Sequence, residues 1–340
     1  MDDIYIDALH GVLTDHCTLQ IVRDIEGGDT RQAAEPLWQA IEASGFADAL
    51  VPEAEGGAGL TLADIFPLFE LCGTFVVPVP LAETMVARAL LAQAGVPRPS
   101  GSIALAHGRM DGNPYDAGSL VCERVSYGRV ADWVLVAQGD NCLLLPADAA
   151  TQTPAISALD ATLTWSPAAL ATATGQQSAG VVPAGTDLRA LHACVLAAQL
   201  AGALASVFTR TLQYANDRTQ FGRPIGKFQA IQHQLSVISE HVFAARMAAQ
   251  IGCSTDRLRV AIAKARTSEA ALEVAALSHS IHGAIGFTEA FDLQMYTRRL
   301  HAWRQAGGAE SYWHDVIGEA LLDPRQGLAL DLIRATTDAG

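Results

Sequence analysis

Residues 217–233, DRTQFGRPIGKFQAIQH, bring together side chains that could bind a phosphate and a flat ring. Arg218 and Gln220 come directly before Phe221, and a helical spacing of apolar residues resumes after Gln229. Two glycines and a proline break the chain between the helical patterns. Because a guanidinium beside a helix end suits a phosphate or carboxylate, we expect an anion at Arg218 and a ring against Phe221. Taken alone, the loop is equally well explained by a surface salt bridge at a helix junction.

Helical patterns on both sides position this loop. From residue 187 to the end, four long helical patterns with brief connections predict an all-α bundle. The first 93 residues also show apolar residues at helical spacing, broken by turns. Between them the pattern changes to short apolar runs separated by turn residues. We therefore predict an N-terminal helical domain at 1–95, a middle β domain at 96–185 and a C-terminal four-helix bundle at 186–340.

The middle segment contains four predicted strands. They cover residues 102–106, 119–121, 133–137 and 142–145, with a turn at Gly139, Asp140 and Asn141 before the last. Spacing of this kind indicates a small antiparallel sheet or barrel. Earlier in the chain, residues 51–66, VPEAEGGAGLTLADIF, are expected to form a glycine turn in which Thr61 caps the following helix. No apolar strand precedes this turn and no Lys-Ser or Lys-Thr follows it, so we do not interpret it as a phosphate-binding loop.

Composition excludes some classes of function. The 340 residues include 36 acidic and 22 basic ones, and the formal charge of -14 argues against nucleic acid or an anionic membrane as the main partner. The six cysteines form neither C-x-x-C pairs nor clusters with histidine, so we expect free thiols in a reducing compartment and no metal site. The N-terminus shows no secretory signal, which predicts a cytoplasmic protein. Residues 190–209 are uncharged and long enough to cross a bilayer, but their many alanines favour a buried bundle helix.

The 217–233 stretch resembles the flavin-binding segment of the acyl-CoA dehydrogenase family, R-x-Q-F-G-x-P-I-x-x-F-Q-A-I-Q-H, and matches each of its fixed positions. In that family the Arg holds the FAD pyrophosphate of a neighbouring subunit. The polar residue and the Phe that follow touch the ribose and adenine side, and the Gln of F-Q-A-I lies near the adenine. The resemblance implies these FAD contacts for Arg218, Gln220, Phe221 and Gln229.

Three further segments are similar to the same family. VPEAEGGAGL and the later PVPLAET are typical of its N-terminal helical domain. IHGAIGF resembles the Q-x-H-G-G-x-G-F-T turn, whose backbone approaches the FAD pyrophosphate. Here Ser280 stands where Gln is usual and Ala284 where the second Gly is usual, while Gly283 is retained. The resemblance makes Ser280, Gly283 and Ala284 candidate FAD contacts, and His282 is either functional or a packed turn histidine.

The catalytic base of the family does not have its usual counterpart in this sequence. A base must remove the α-proton of the acyl-CoA while the flavin accepts the β-hydride, and the family supplies a Glu from one of two positions. Counting without gaps from Gly283, the first position falls on Gly307; counting back from Arg218, the second falls on His192. Glu310 lies three residues from the first position. Three interpretations stay open: Glu310 acts as the base, His192 does, or a partner subunit supplies the base.

The middle segment also departs from the family. Between residues 102 and 154 there is no segment resembling T-E-P-x-x-G-S-D, which holds the isoalloxazine ring in other members. The expected fold is therefore acyl-CoA dehydrogenase-like, mainly α, with a shortened middle β-barrel domain. The resemblance implies FAD as cofactor, an acyl-CoA substrate such as a steroid or bile-acid side-chain ester, and electron-transfer flavoprotein as acceptor. It also implies a Glu-bearing paralogue as partner in an α2β2 heterotetramer. The competing hypothesis is a complete homotetrameric enzyme with an atypical base.

Overall fold

The computed structural model describes residues 3–28, 30–112, 118–139, 141–174, 181–323 and 328–337. The chain forms two compact units. The first comprises Met1–Leu68 and Val77–His192, and the second comprises Phe69–Val76 and Ala193–Gly340. The predicted division into three domains at residues 95 and 185 stays a prediction.

The N-terminal part is helical, as the sequence predicts. Its helices are α1 (Asp3–His16), α2 (Leu19–Gly27), α3 (Thr30–Ser44), α4 (Leu62–Thr74) and α5 (Leu81–Gln93). Thr61 caps α4 as expected, since its Oγ1 accepts a hydrogen bond from Asp64 N at 3.3 Å. Gly56 and Gly59 have φ of 87° and 65°, which confirms that the glycine-rich stretch before α4 is a turn.

Within the described residues, seven strands and the helix α6 follow α5. They are β1 (Ile103–His107), β2 (Arg109–Asp111), β3 (Ser119–Val125), β4 (Trp133–Gln138), β5 (Asn141–Pro146), β6 (Thr151–Pro154), β7 (Ala161–Trp165) and α6 (Pro167–Thr174). The four predicted strands are confirmed as β1, β3, β4 and β5. Sequence reasoning missed β2 and β6 because all their residues are exposed, and it missed β7 as well. Gly139 of the predicted turn follows β4, Asn141 is the first residue of β5, and Asp140 lies outside the described residues.

The strands form two sheets, ordered β1-β4-β5 and β2-β3-β7-β6. The expected antiparallel sheet is confirmed for β2-β3-β7-β6, whose neighbouring strands are all antiparallel, but in the other sheet β1 pairs with β4 in parallel. Two strands, β2 and β3, lie between β1 and β4 in sequence, and a connection this long allows a parallel pair. The described strands form no closed barrel, so the shortened β-barrel is instead a pair of small sheets. Their shared core includes Leu120, Val134, Leu163 and Trp165.

The second unit is built from long helices. Its elements are α7 (Leu188–Asp217, of which the first five residues belong to the first unit), β8 (Thr219–Gln220), β9 (Arg223–Pro224), α8 (Gln229–Ile251), α9 (Arg257–His282), α10 (Leu293–Gln305), α11 (Glu310–Leu322) and α12 (Ala329–Thr337). Helix α9 packs against α8, α10 and α11. The predicted helical bundle is confirmed, and the fourth helical pattern is divided into α10 and α11 by a turn at Gly307 and Gly308.

Helices α4 and α7 touch through their backbones within the second unit. A Cβ on Gly73 would lie 1.9 Å from Gln199 O, and a Cβ on Gly202 would lie 1.9 Å from Glu70 O. Only glycine allows such an approach.

Among the described helices, α7 is long and apolar enough to span a membrane, but 78% of its most apolar stretch is buried inside the protein. This burial agrees with the predicted core helix of a bundle. All six cysteines are buried thiols outside any disulfide.

Candidate functional site

The loop after α7 is a tight hairpin that presents an exposed ring. β8 and β9 pair Thr219 with Pro224 and Gln220 with Arg223. The two residues between them, Phe221 and Gly222, have φ of 52° and 78°. A left-handed conformation is unfavourable for an aromatic residue, and such strain is concentrated at functional sites. Phe221 is 90% exposed, so the hairpin holds a large ring in solvent in a strained conformation.

Arg218 directly precedes this hairpin, and the end of α7 holds it there. Its backbone N–H donates to Tyr214 O at 2.9 Å, and its carbonyl accepts from Ile225 N at 2.8 Å. The side chain is exposed and has no ion-pair partner among the described residues. Gln220 and Gln229, the first residue of α8, are exposed as well. A guanidinium on an anchored backbone, without an internal partner, is free to bind an external anion.

The turn after α9 lies at the same end of this unit. The ring of Tyr214, one helical turn before Arg218, stacks on His282 with centroids 4.3 Å apart. His282 is buried and bonds Ser278 O through Nδ1 at 2.7 Å, so it is the packed turn histidine of the two alternatives. The structure therefore brings the hairpin and the turn together.

Three predicted residues of this turn are accessible. Ser280, Gly283 and Ala284 are all exposed. Gly283 has φ of 66°, and nothing lies within 4 Å of the position that its Cβ would take. With the unpaired Arg218 and the exposed Phe221, this open backbone fits a ligand that combines phosphates with rings. The seven residues predicted from sequence to contact FAD are chemically compatible with a dinucleotide.

Gly307, at the first base position, is buried with no room for a side chain. Its φ is 65°, and a Cβ there would lie 2.9 Å from Leu196 Cδ1 and 3.4 Å from Ala193 Cα and N. Trp313 Nε1 donates to Gly307 O at 3.1 Å. The turn between α10 and α11 is thus pressed against α7, and its backbone conformation requires glycine.

A buried lysine that sequence reasoning missed fixes the same turn. Lys264 of α9 is fully buried, and its Nζ donates to Arg304 O at 2.9 Å, Gly308 O at 3.1 Å and Ser268 Oγ at 3.0 Å. Burial and the neighbouring Arg304 lower the pKa of Lys264 to about 7. Two of these bonds close the C-terminal end of α10 and the glycine turn, so Lys264 holds the turn in place.

Glu310, one of the base candidates, is engaged in an ion pair. Its carboxylate forms an ion pair with Arg304 across the turn, and both side chains are mostly buried. As the first residue of α11 it also lies where a negative charge favours the helix N-terminus. These contacts give Glu310 a structural role.

His192, the second base position, lies beside a buried carboxylate. Its Nε2 is 3.2 Å from Glu83 Oε1, although the directions of the two groups do not make a hydrogen bond. The other oxygen of Glu83 accepts from Leu105 N at 2.6 Å, and His107 stacks against His192 with ring centroids 6.1 Å apart. Sequence reasoning missed Glu83 and His107. The signal for Glu83 was an acidic residue among the mostly apolar residues of α5, in the PVPLAET segment.

His107 should make the protein sensitive to acid. Burial, with His192 and Arg189 nearby, lowers its pKa from 6.5 to about 3. Between these values the unfolded chain binds a proton that the folded chain does not, so stability is full above pH 6.5 and falls as the pH drops towards 3. The slope from this one group is at most about 1.4 kcal/mol per pH unit. In urea unfolding at a series of pH values, His107→Gln should flatten this slope. His16→Gln, at an exposed position of α1, serves as the control, and an equal slope in wild type and His107→Gln would contradict the assignment.

Comparisons with known proteins show which proteins this chain is similar to. The family model described as "Acyl-CoA dehydrogenase, C-terminal domain" matches residues 190–322. The chain is 31% identical over 274 residues to acyl-CoA dehydrogenase IpdE2 of Mycolicibacterium smegmatis, covering 80% of this chain and 83% of that protein. It is 30% identical over 312 residues to acyl-CoA dehydrogenase FadE34 of Mycobacterium tuberculosis, covering 86% of this chain but 43% of FadE34.

Solved structures share the fold along nearly the whole chain. One, described as "Tcur3481-Tcur3483 steroid ACAD G363A variant", is 25% identical with a TM-score of 0.76, covering 94% of this chain and 97% of the other. The ChsE4-ChsE5 complex from Mycobacterium tuberculosis is 22% identical with a TM-score of 0.78, covering 94% and 96%. Together with the match to IpdE2 over most of both chains, these findings lead to one conclusion: this chain belongs to the acyl-CoA dehydrogenase family, and this membership supports an oxidoreductase acting on CH–CH bonds.

Proposed function

We propose that this chain is the subunit of a heteromeric, FAD-dependent acyl-CoA dehydrogenase that binds the pyrophosphate and adenine side of the flavin, while a partner subunit supplies the catalytic Glu. The buried Gly307 turn is the observation on which this proposal depends most. A base at this position would need a side chain, and both the positive φ and the contact with Leu196 oppose one. Because a positioned base contributes on the order of 10² to 10⁴ in rate, its loss is tolerable only if another chain supplies it.

The chain's own residues would bind the pyrophosphate and adenine side of FAD. FAD, when bound, supplies the acceptor for the β-hydride of the acyl-CoA. Arg218 would pair with the pyrophosphate, because its guanidinium is exposed and unpaired among the described residues. Phe221 would cover a ring of the ligand, with Gln220 and Gln229 as hydrogen-bonding groups beside it. Ser280, Gly283 and Ala284 would offer hydroxyl and backbone groups to the phosphates.

Two comparisons favour a partner. More than half of FadE34 lies outside its match to this chain, so a counterpart of this chain is joined there to a further stretch longer than itself. Two of the similar structures have descriptions that name two components each. One of these structures is of a steroid ACAD, which supports a CoA ester of a steroid or bile-acid side chain as substrate. An α2β2 assembly in the cytoplasm, with electron-transfer flavoprotein as acceptor, completes the proposal.

Co-expression of this chain with a Glu-bearing paralogue tests the proposed function. The chain alone should bind little FAD and oxidise no acyl-CoA, whereas co-expression with a Glu-bearing paralogue should give a yellow, active complex. Replacing the partner's Glu by Gln should lower turnover by about 10² or more. Flavin absorbance and turnover are the measurements. A lone chain that holds about one flavin and dehydrogenates a CoA ester would overturn the proposal.

The complete homotetrameric enzyme is the second candidate. The observation that favours it is the Glu83 carboxylate 3.2 Å from His192 Nε2, since a carboxylate beside an imidazole is a common way to orient a base. Against it, His192 is 3% exposed and Glu83 is fully buried, which leaves neither group open to a substrate in this chain. Glu310 is a weaker candidate because Arg304 already pairs with it.

Replacement of His192 separates the two candidates. If His192 is structural, His192→Gln should change turnover of the assembled enzyme only a few fold, whereas loss of a true base costs about 10² or more. Turnover is measured beside flavin content and assembly state. Glu83→Gln, which keeps the shape of the neighbouring side chain, is the matched variant. A large loss of turnover with flavin and assembly intact would make this chain the catalytic subunit.

A further inference from the structure

Two thiols of the second unit, Cys194 and Cys253, lie in direct contact inside the protein. Cys194 is on α7, and Cys253 follows the end of α8 at Ile251. Their Sγ atoms are 3.7 Å apart, although the residues are 59 positions apart in sequence. The two residues are 1% and 2% exposed, and the proposed function uses neither of them. Packing has therefore brought together two groups that share a redox chemistry.

The distance between the two sulfur atoms is short enough for a disulfide to form by a small movement. The S–S length of a disulfide is about 2.05 Å, so the atoms must approach each other by about 1.7 Å. Rotation of a cysteine side chain from one staggered χ1 position to another moves its sulfur atom by more than this distance. No helix has to unfold for the bond to form.

The connection between α8 and α9 leads from Cys253 to solvent within two residues. Ser254 is half-buried and Thr255 is exposed. The connection ends at Asp256, whose side chain caps the first turn of α9. Local opening of such a short surface segment exposes Cys253 while α8 and α9 stay folded. A small oxidant therefore has a route to the thiol pair.

While the connection is closed, the pair is unreactive. The contact with Cys194 and burial both raise the pKa of the Cys253 thiol, and a protonated thiol is a poor nucleophile. In a reducing compartment the resting form is therefore the pair of free thiols. Oxidation begins when the connection opens and water reaches Cys253.

We propose that Cys194 and Cys253 form a reversible redox modification site, which hydrogen peroxide converts into an internal disulfide. First, the Cys253 sulfur attacks one peroxide oxygen, an S–O bond forms, the O–O bond breaks and one water leaves, which gives a sulfenic acid. Next, the Cys194 sulfur displaces the hydroxyl group, so that the S–S bond forms, the S–O bond breaks and a second water leaves with the thiol proton. Two thiols lose two electrons, and one peroxide is reduced to two waters.

The disulfide would join α7 to the connection after α8. On α7 it lies beside the contact of this helix with the turn at Gly307, since a Cβ on Gly307 would lie 3.4 Å from Ala193 Cα. A cross-link between residues 59 positions apart restricts the unfolded chain. The oxidised protein should therefore resist unfolding more than the reduced protein does.

Counting thiols in the full chain tests the proposal. After peroxide treatment and unfolding in urea with N-ethylmaleimide, four thiols should be alkylated instead of six, and prior reduction with dithiothreitol should restore six. Peptide mapping without reductant should find Cys194 and Cys253 in one cross-linked pair of peptides. The oxidised chain should unfold at a temperature about 3–10 °C higher than the reduced chain.

Three variants make the result specific. Cys194→Ala and Cys253→Ala each remove one partner, so each should abolish the cross-link and the rise in unfolding temperature. Cys142→Ala is the matched control, because it removes a buried thiol of β5 in the first unit. This control should form the cross-link as wild type does.

Three results overturn the proposal. One is six alkylated thiols in wild type after peroxide treatment, and another is a sulfinic acid at Cys253 without a cross-link. The third is a cross-link that still forms in a folded Cys194→Ala or Cys253→Ala chain. Since the peptide map of wild type needs no variant, a variant that fails to fold leaves the test decisive.

Discussion

Gly307→Glu should destabilise the chain and restore no activity, although it places a carboxylate at a base position of the family. A left-handed conformation costs a non-glycine residue about 1–2 kcal/mol, and overpacking against Leu196 adds about 1–3 kcal/mol. The new carboxylate would also be buried, where Lys264 already uses its hydrogen bonds on Arg304 O, Gly308 O and Ser268. Urea unfolding should show a loss of at least about 2 kcal/mol.

Two further variants isolate the cause of this loss. Gly307→Ala introduces only the Cβ and should show the backbone strain and the contact with Leu196. Gly318→Glu introduces the same charge on α11, where nothing lies within 4 Å of a Cβ, and should change stability little. A Gly307→Glu chain as stable as wild type would show that the turn can accept a side chain, and flavin-dependent turnover by that chain would restore the position as a base.

Arg218→Ala should release flavin from the assembled complex. The guanidinium is exposed, has no ion-pair partner among the described residues, and lies on a backbone fixed by Tyr214 O and Ile225 N. Loss of a charge-assisted contact with a pyrophosphate costs roughly 1.5–3 kcal/mol, about 10- to 150-fold in the Kd for FAD. Flavin retained after gel filtration, and the Kd from fluorescence titration, measure the effect.

Arg223→Ala is the matched control, because it removes the other guanidinium of the same hairpin. Arg223 lies over the Phe228 ring at 4.2 Å, so its role within the chain is already explained. Its replacement should leave FAD affinity nearly unchanged. Unchanged affinity in Arg218→Ala would refute the assignment of the hairpin to the pyrophosphate, whatever the activity of the complex.

Local patterns predicted most elements of this fold. Apolar spacing identified the helices on both sides of the hairpin, and runs such as 133–137 identified strands, because burial of one face leaves a period in the sequence. Exposed strands such as β6 leave no such period and were missed. The parallel pairing of β1 with β4 was also missed, since pairing depends on which segments meet in space and not on the pattern of either strand.

The residues of the candidate site also fall into two groups, those that the sequence could identify and those that only the packing brought together. By itself, the sequence determined that the segment with Arg218, Phe221 and Gln229 resembles a flavin-binding loop and that position 307 is a glycine, because both depend on residue type and spacing alone. The tertiary structure alone decided that Gly307 is pressed against Leu196 and that Lys264 holds its turn. It also brought Glu83 to within 3.2 Å of His192, more than a hundred residues away in sequence. Contacts between distant segments arise only when the helices pack, so no local sequence pattern predicts them.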